Sequence, residues 1–228
     1  PPTSPSSAMS KPPLFSDAER EMIRVAVAEA ETRTSGEIVS YIVRQSGDYP
    51  VAVWRAASVV ALGAGVGALA VAWLYDGWGL GWLYSAWALA LVMTLGGVAG
   101  ALATLADPVR RFFAGADELD TTVHRRSAVA FVEEEVFDTR DRTGILLFVS
   151  LFEHRIEVVG DAGINAKVEQ EEWVEIVGLI RDGIREESLA AGLVAAVMRC
   201  GDLLERRGVA IREDDTDELS DDVRVRDE

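Results

Sequence analysis

Two runs without a charged side chain, Ala56 to Tyr75 and Gly77 to Ala106, lie in the first half of the chain with only Asp76 between them. A hydrocarbon core of about 30 Å needs about 20 apolar residues in a helix, and each run meets that length. Segment 51–106 is therefore expected to be a transmembrane helical hairpin that interrupts a water-soluble domain. Aromatic residues mark both ends: Trp73, Tyr75, Trp78, Trp82 and Tyr84 gather around Asp76, and Tyr49, Trp54, Phe112 and Phe113 stand at the open end. Interfacial aromatic belts have this distribution. Gly63 and Gly67 are spaced GxxxG, as are Gly96 and Gly100, and that spacing lets helix backbones approach closely. At about 1.5 Å per residue, the first pair lies roughly 12 to 18 Å from Arg55 and the second roughly 15 to 21 Å from Arg110. The two pairs are thus expected to face each other as the packing seam of the hairpin.

The flanks predict an orientation. Arg44, Arg55, Arg110, Arg111, Arg125 and Arg126 lie toward the open end, whereas the turn carries neither Lys nor Arg. By the positive-inside rule the open end is cytoplasmic, which predicts a bacterial-type inner-membrane protein with two spans, its soluble domain and both termini in the cytoplasm. The first apolar run begins only near Val51, behind a segment that reads as folded, so the first span is expected to serve as its own insertion signal.

Outside the hairpin the chain reads as one domain in two pieces, 14–50 and 107–208, between a Pro- and Ser-rich disordered lead, 1–13, and an acidic disordered tail, 209–228. Ser16 and Glu19 form a capping box ahead of a helix from Asp17 to about Thr32. Glu37 to Arg44 is apolar on both alternating faces and reads as an internal strand. A lone strand cannot satisfy its backbone groups, so its partners must come from beyond the hairpin. After Pro108, Asp117 or Asp120 can cap a helix running to about Glu135. Gly144 to Phe152 and Arg155 to Val159 read as a β-hairpin, and Val168 to Arg185 and Leu189 to Arg206 as amphipathic helices, with Gly208 as a stop. The fold class expected is α/β: a small mixed sheet flanked by helices and interrupted by the membrane hairpin.

The formal net charge is -16, and Lys11 and Lys167 are the only lysines, which argues against nucleic acid binding through a basic surface. Cys200 is the single cysteine, so no intrachain disulfide forms, and its setting predicts a buried position on an apolar helix face. Two loops at strand ends carry acids: Asp138-Thr-Arg-Asp141-Arg-Thr-Gly144, and Gly160-Asp161-Ala-Gly163. Oxygen ligands from Asp138, Asp141 and Asp161 can hold a hard cation, Ca²⁺ or Mg²⁺. The competing reading pairs Asp138 and Asp141 with Arg140 and Arg142 and leaves Gly160 and Gly163 to shape a turn. His154 is a general acid by type and a hairpin-turn residue by position. A nucleophile, base and orienter at recognisable spacing do not emerge, and catalytic residues stay unassigned.

The segment Arg142-Thr-Gly-Ile-Leu-Leu-Phe-Val-Ser-Leu-Phe-Glu-His-Arg-Ile-Glu-Val-Val-Gly-Asp-Ala-Gly-Ile164, followed by Trp173 and the helix start Ala191-Gly-Leu193, resembles the TPM domain family. That family is named after a thylakoid lumen protein, a photosystem II repair factor and a modulator of a worm acetylcholine receptor. The resemblance covers about Leu14 to Arg44 and Asp117 to Gly208. It implies an α/β sandwich, membrane anchoring in many members, and in some members divalent cation binding with weak acid phosphatase activity. In the commoner layout the anchor lies outside the domain, whereas here two spans follow the first strand. Two functions follow as expectations: a membrane-anchored interaction module that assists assembly, repair or modulation of other membrane proteins, with the lipid bilayer and those proteins as partners; or a metal-assisted phosphatase at the membrane face.

Overall fold

The computed structural model describes residues 13–74, 82, 85–209, 211 and 218–226. The chain divides into two compact units, one made of 1–44 with 127–228 and the other of 45–126.

The first unit is a four-stranded sheet with helices. Ser16 accepts from the Glu19 N–H and Glu19 from the Ser16 N–H, so the capping box starts α1, Asp17–Glu31. β1, Glu37–Val43, is buried at every position and pairs in parallel along its whole length with β2, Gly144–Ser150. The strand that lacked a partner in its own part of the sequence thus finds one beyond the hairpin. β3, Arg155–Gly160, returns antiparallel to β2, as the hairpin pattern predicts. Then come α6, Ala162–Asn165, a single 3₁₀ turn at Gln170–Glu172, α7, Trp173–Arg185, and α8, Leu189–Arg206. The helix expected from Val168 therefore starts five residues later, the lead-in being spent on the 3₁₀ turn.

One face of the sheet, Ile38 and Ile42 of β1 with Ile145, Leu147 and Val149 of β2, joins Ile23 and Val27 of α1, Trp173, Ile176 and Ile180 of α7, and Leu193, Val197, Cys200 and Leu204 of α8 in a single core. On the other face the Tyr41 and Phe148 rings stack with centroids 5.7 Å apart. Gly144 has no room for a side chain, since a Cβ there would lie 1.9 Å from the Val136 carbonyl oxygen.

The reading of 209–228 as a disordered acidic tail needs correction. β4, Arg224–Arg226, adds to β1 in parallel, giving the order β3-β2-β1-β4. The physical reason is a short alternation inside a charged stretch: Val223 is buried in the core and Val225 packs against it, while Arg224 and Arg226 reach Glu134. Residues 212–217 of that stretch lie outside the described residues.

The second unit holds α2, Pro50–Leu74, α3, Ala86–Ala103, α4, Asp107–Ala114, and the first part of α5, Ala116–Glu133, whose course crosses the unit boundary at Arg126/Ser127. The helix expected from Asp117 or Asp120 to about Glu135 is α5, and the short α4 ahead of it was not expected. Pro108 starts α4, and Gly115 at φ 88 ends it. Arg55 donates to the Ala114 carbonyl at 2.7 Å, satisfying an acceptor at that helix end. α2 and α3 are long and apolar enough to cross a membrane, with mean hydropathy 2.0 and 1.9, and only 11% of each most apolar window is buried. That exposure sets them apart from the core helices of a water-soluble protein. Tyr75, Asp76, Trp78 and Tyr84, the expected turn and most of its aromatic belt, lie outside the described residues. Trp82 stacks on Trp87 at 6.1 Å.

The expected glycine seam is half right. Gly96 and Gly100 of α3 face α2, where a Cβ would meet Ala64 Cβ at 2.8 Å and the Ala56 carbonyl oxygen at 2.5 Å respectively. Gly63 and Gly67 face open space; the α2 glycine at the seam is Gly65, against Met93.

Candidate functional site

The loop before β2 and the end of β3 meet around Asp161. Its carboxylate is buried, 5% exposed, and caps α6 by accepting from the Ala162 N–H at 2.6 Å. Arg142, held at φ 58, reaches it twice: Nη2 donates to Oδ1 at 3.0 Å, and Nε lies 2.7 Å from Oδ2 as an ion pair without hydrogen-bond direction. The Asp161 N–H donates to the Gly144 carbonyl, and the Gly163 N–H to the Arg142 carbonyl, both at 2.9 Å. A Cβ on Gly163 would lie 2.4 Å from the Asp141 carbonyl oxygen, so glycine there lets the two loops close. Thr143 continues the knot, taking its N–H to Thr139 Oγ1 and its hydroxyl to the Ser35 carbonyl.

This geometry divides the three acids expected as cation ligands. Asp161 turns inward to Arg142 and the helix cap, while Asp138 and Asp141 are exposed. Among the described residues no group of three or more His, Cys, Asp or Glu side chains is placed to hold a metal ion. Of the two arginines, Arg142 serves Asp161, and the Arg140 backbone N–H donates to Glu218. Gly160 and Gly163 do more than shape a turn, because they frame a capped helical turn whose carboxylate ties two strand ends together. His154 sits exposed at φ 55 in the β2–β3 turn, its N–H donating to the Leu151 carbonyl at 3.3 Å. Beside it, Glu153 is buried and accepts from the Ser150 hydroxyl. Cys200 is buried in α8, as its apolar setting predicts, and burial pushes its thiol up to about 12. A neutral buried thiol is a poor nucleophile.

Two features went unread in the sequence. The first is a groove of about 550 Å³ between α1 and α8, lined by Met22, Val25, Ala26, Ala191, Val194 and Met198, with Glu21 and Glu29 at its rim. Met22 is 52% and Val25 48% exposed, although both sit at helical spacing with core residues of α1. The apolar stripe of α1 is thus wider than the core covers. The second is the pair of buried or half-buried acids, Glu37 and Glu134, that hold the segment 218–226; the Val-Arg-Val-Arg alternation at 223–226 was the available signal.

No family model matches this chain, and no curated protein matches it. Among solved structures, the NMR structure of BA42 protein from the psychrophilic bacterium Bizionia argentinensis is similar over 97% of this chain and 100% of that one, with a TM-score of 0.57 and 17% sequence identity. At that identity the likeness is one of fold: a mixed α/β sheet with helices.

Proposed function

We propose that the chain is a membrane-anchored interaction module of the TPM kind, which docks an amphipathic helix of another membrane protein in the α1/α8 groove. The observation that carries the reading is the groove itself. An exposed apolar surface rimmed by charge is the usual mark of a protein contact site, and its two methionines can repack around different apolar anchors. Glu21 and Glu29 at the rim, on a chain of net charge -16, favour a helix with Lys or Arg flanking its apolar face. In this reading α2 and α3 cross the bilayer, the Arg-rich flanks lie in the cytoplasm, and anchoring confines the groove to the plane where its partner lives.

Two experiments test it. Cysteines placed at Gly77 should label from outside the cell and at Gln45 or Gly115 from inside; the reverse pattern overturns the orientation. A photo-crosslinker at Val25 should capture a membrane-protein segment that is amphipathic and basic-flanked, and Met22→Glu with Met198→Glu should abolish capture. Capture that survives both substitutions, or equals that from exposed Val174, overturns the groove as the site.

A further inference from the structure

The edge of β1 away from β2 is covered by β4, a feature independent of the groove and of the membrane reading. Along it the register is Tyr41↔Arg224, Ile42↔Val225 and Val43↔Arg226, and the Arg44 N–H donates to the Arg226 carbonyl at 3.2 Å. Only three positions pair, against seven between β1 and β2. What holds the added segment is a set of readers on the sheet domain. At one end Glu37, 6% exposed, accepts the Glu218 N–H on Oε1 and the Leu219 N–H on Oε2, both at 3.3 Å. At the other, Glu134 divides its carboxylate between two guanidinium groups, Oε2 to Arg224 Nε at 3.1 Å and Oε1 to Arg226 Nη2 at 3.0 Å, with its own side chain 14% exposed. Glu134, and with it Tyr41, holds the Arg226 proton more tightly. Val223 inserts into the core between these two clamps.

These readers divide recognition in the manner of strand addition. Main-chain amides caught by Glu37 and the ladder carry no sequence information, whereas Val in a pocket and Arg at alternate positions do. We propose that the β1 edge is an exchangeable docking site for an extended segment of a partner protein carrying the alternation apolar-Arg-apolar-Arg, and that residues 218–226 occupy it as a built-in competitor. A three-position ladder tethered through the charged run Arg212 to Asp217 belongs to the weakly held end of a fold, from which exchangeable elements are drawn. The strong acidity of the chain favours a basic strand over an apolar or acidic one. An unpaired strand edge is also a liability, so a resident strand protects it until the partner arrives.

The test uses the full chain in detergent micelles and, as probe, a fluorescent peptide of residues 218–226. Arg224→Glu with Arg226→Glu should release the resident segment, speed exchange at the Arg44 amide, and tighten peptide binding by about tenfold or more over the parent, since the parent's competent fraction is small. Added peptide should then slow Arg44 exchange again, and a peptide with both arginines replaced by Glu should not bind. Glu134→Gln, introduced into the released variant, should remove the gain. If the double substitution unfolds the chain, Glu134→Gln alone serves: Arg44 exchange should quicken, with no peptide binding. Unchanged Arg44 exchange in either folded variant, binding by the Arg224→Glu/Arg226→Glu variant no tighter than the parent's, or a gain that survives Glu134→Gln overturns the proposal. Cross-links joining 218–226 of one copy to β1 of another would make a second copy the occupant and overturn the foreign partner.

Discussion

Two helix pairs in this chain are closed by glycine, and they present different outward faces. Between α7 and α8, a Cβ on Gly183 would lie 2.5 Å from the Gly192 Cα; between α2 and α3, a Cβ on Gly100 would lie 2.5 Å from the Ala56 carbonyl oxygen. The contact is the same in kind. The difference lies on the outer surface. α7 and α8 turn Trp173, Ile176, Leu193 and Val197 into the core and leave Glu175, Asp182, Asp202 and Glu205 outside. α2 and α3 leave Val59, Leu62, Val66, Leu95 and Leu102 outside. Small residues at a helix contact therefore set only how near the backbones come. The outward face reports the medium, because apolar surface turned to water is unfavourable at about 25 cal/mol per Å² and is neutral in lipid.

Enlarging each seam separates the two pairs experimentally. The largest effect is expected for Gly183→Leu, whose side chain would have to displace backbone on α8. Overpacking of this kind costs about 3 kcal/mol, and it should appear as faster amide exchange at Ile180 and Leu193 and as a lower unfolding midpoint of the sheet domain. Gly100→Leu should cost about 1 to 2 kcal/mol of α2–α3 association. Its reporter is a disulfide between Ala61→Cys and Gly97→Cys, placed in a Cys200→Ala background: a Cβ at 97 lies 3.6 Å from the Ala61 Cβ, within the 3.5–4.5 Å that a disulfide spans. The cross-link should form in the parent, weaken with Gly100→Leu and be indifferent to Gly183→Leu. Loss of the cross-link with Gly183→Leu would break the comparison, since the two pairs would then form one cooperative structure.

The same contrast explains what sequence reasoning reached. The α1 capping box, the unpartnered β1, the β2–β3 hairpin and the span of α8 were legible because each depends on a short-range pattern: a cap, an alternation, a helical stripe. The Asp161–Arg142 knot was not legible in the sequence because its partner choice is tertiary. Nothing in the spacing says that Arg142 turns to Asp161 rather than to Asp141. β4 was missed for a related reason. Its surroundings are acidic, and the acids that hold segment 218–226, Glu37 and Glu134, stand far away along the chain.

A smaller effect concerns Cys200, a buried thiol on the α7/α8 side of the comparison; α2 and α3 carry no cysteine. Burial raises its folded pKa from 9.0 to about 12. The stability linked to this thiol is therefore whole below pH 9 and is lost as pH rises toward 12, because the unfolded thiol ionises first. The loss should be about 1 kcal/mol between pH 9 and 10. Comparing denaturant unfolding with that of Cys200→Ala isolates it from other groups that titrate there. Identical pH profiles would mean that the thiol is solvated in the folded state.

The smallest effect is expected for Gly63→Ala and Gly67→Ala, and it sharpens the comparison most. GxxxG spacing says that two glycines share a face of a helix; it does not say which way that face points. At 3.6 residues per turn, successive side chains are about 100° apart, so Gly63 and Gly67, two positions either side of Gly65, lie about 200° around the helix from it. Gly65 meets Met93 of α3, and a Cβ at Gly63 or Gly67 meets nothing within 4 Å. Alanine at either position should leave the Ala61–Gly97 cross-link unchanged and add a few tenths of a kcal/mol of helix stability, up to about 1, from the conformational freedom glycine gives up. If Gly63→Ala weakens the cross-link as Gly100→Leu does, the seam of α2 runs through Gly63 and the helix is rotated by half a turn from the arrangement described.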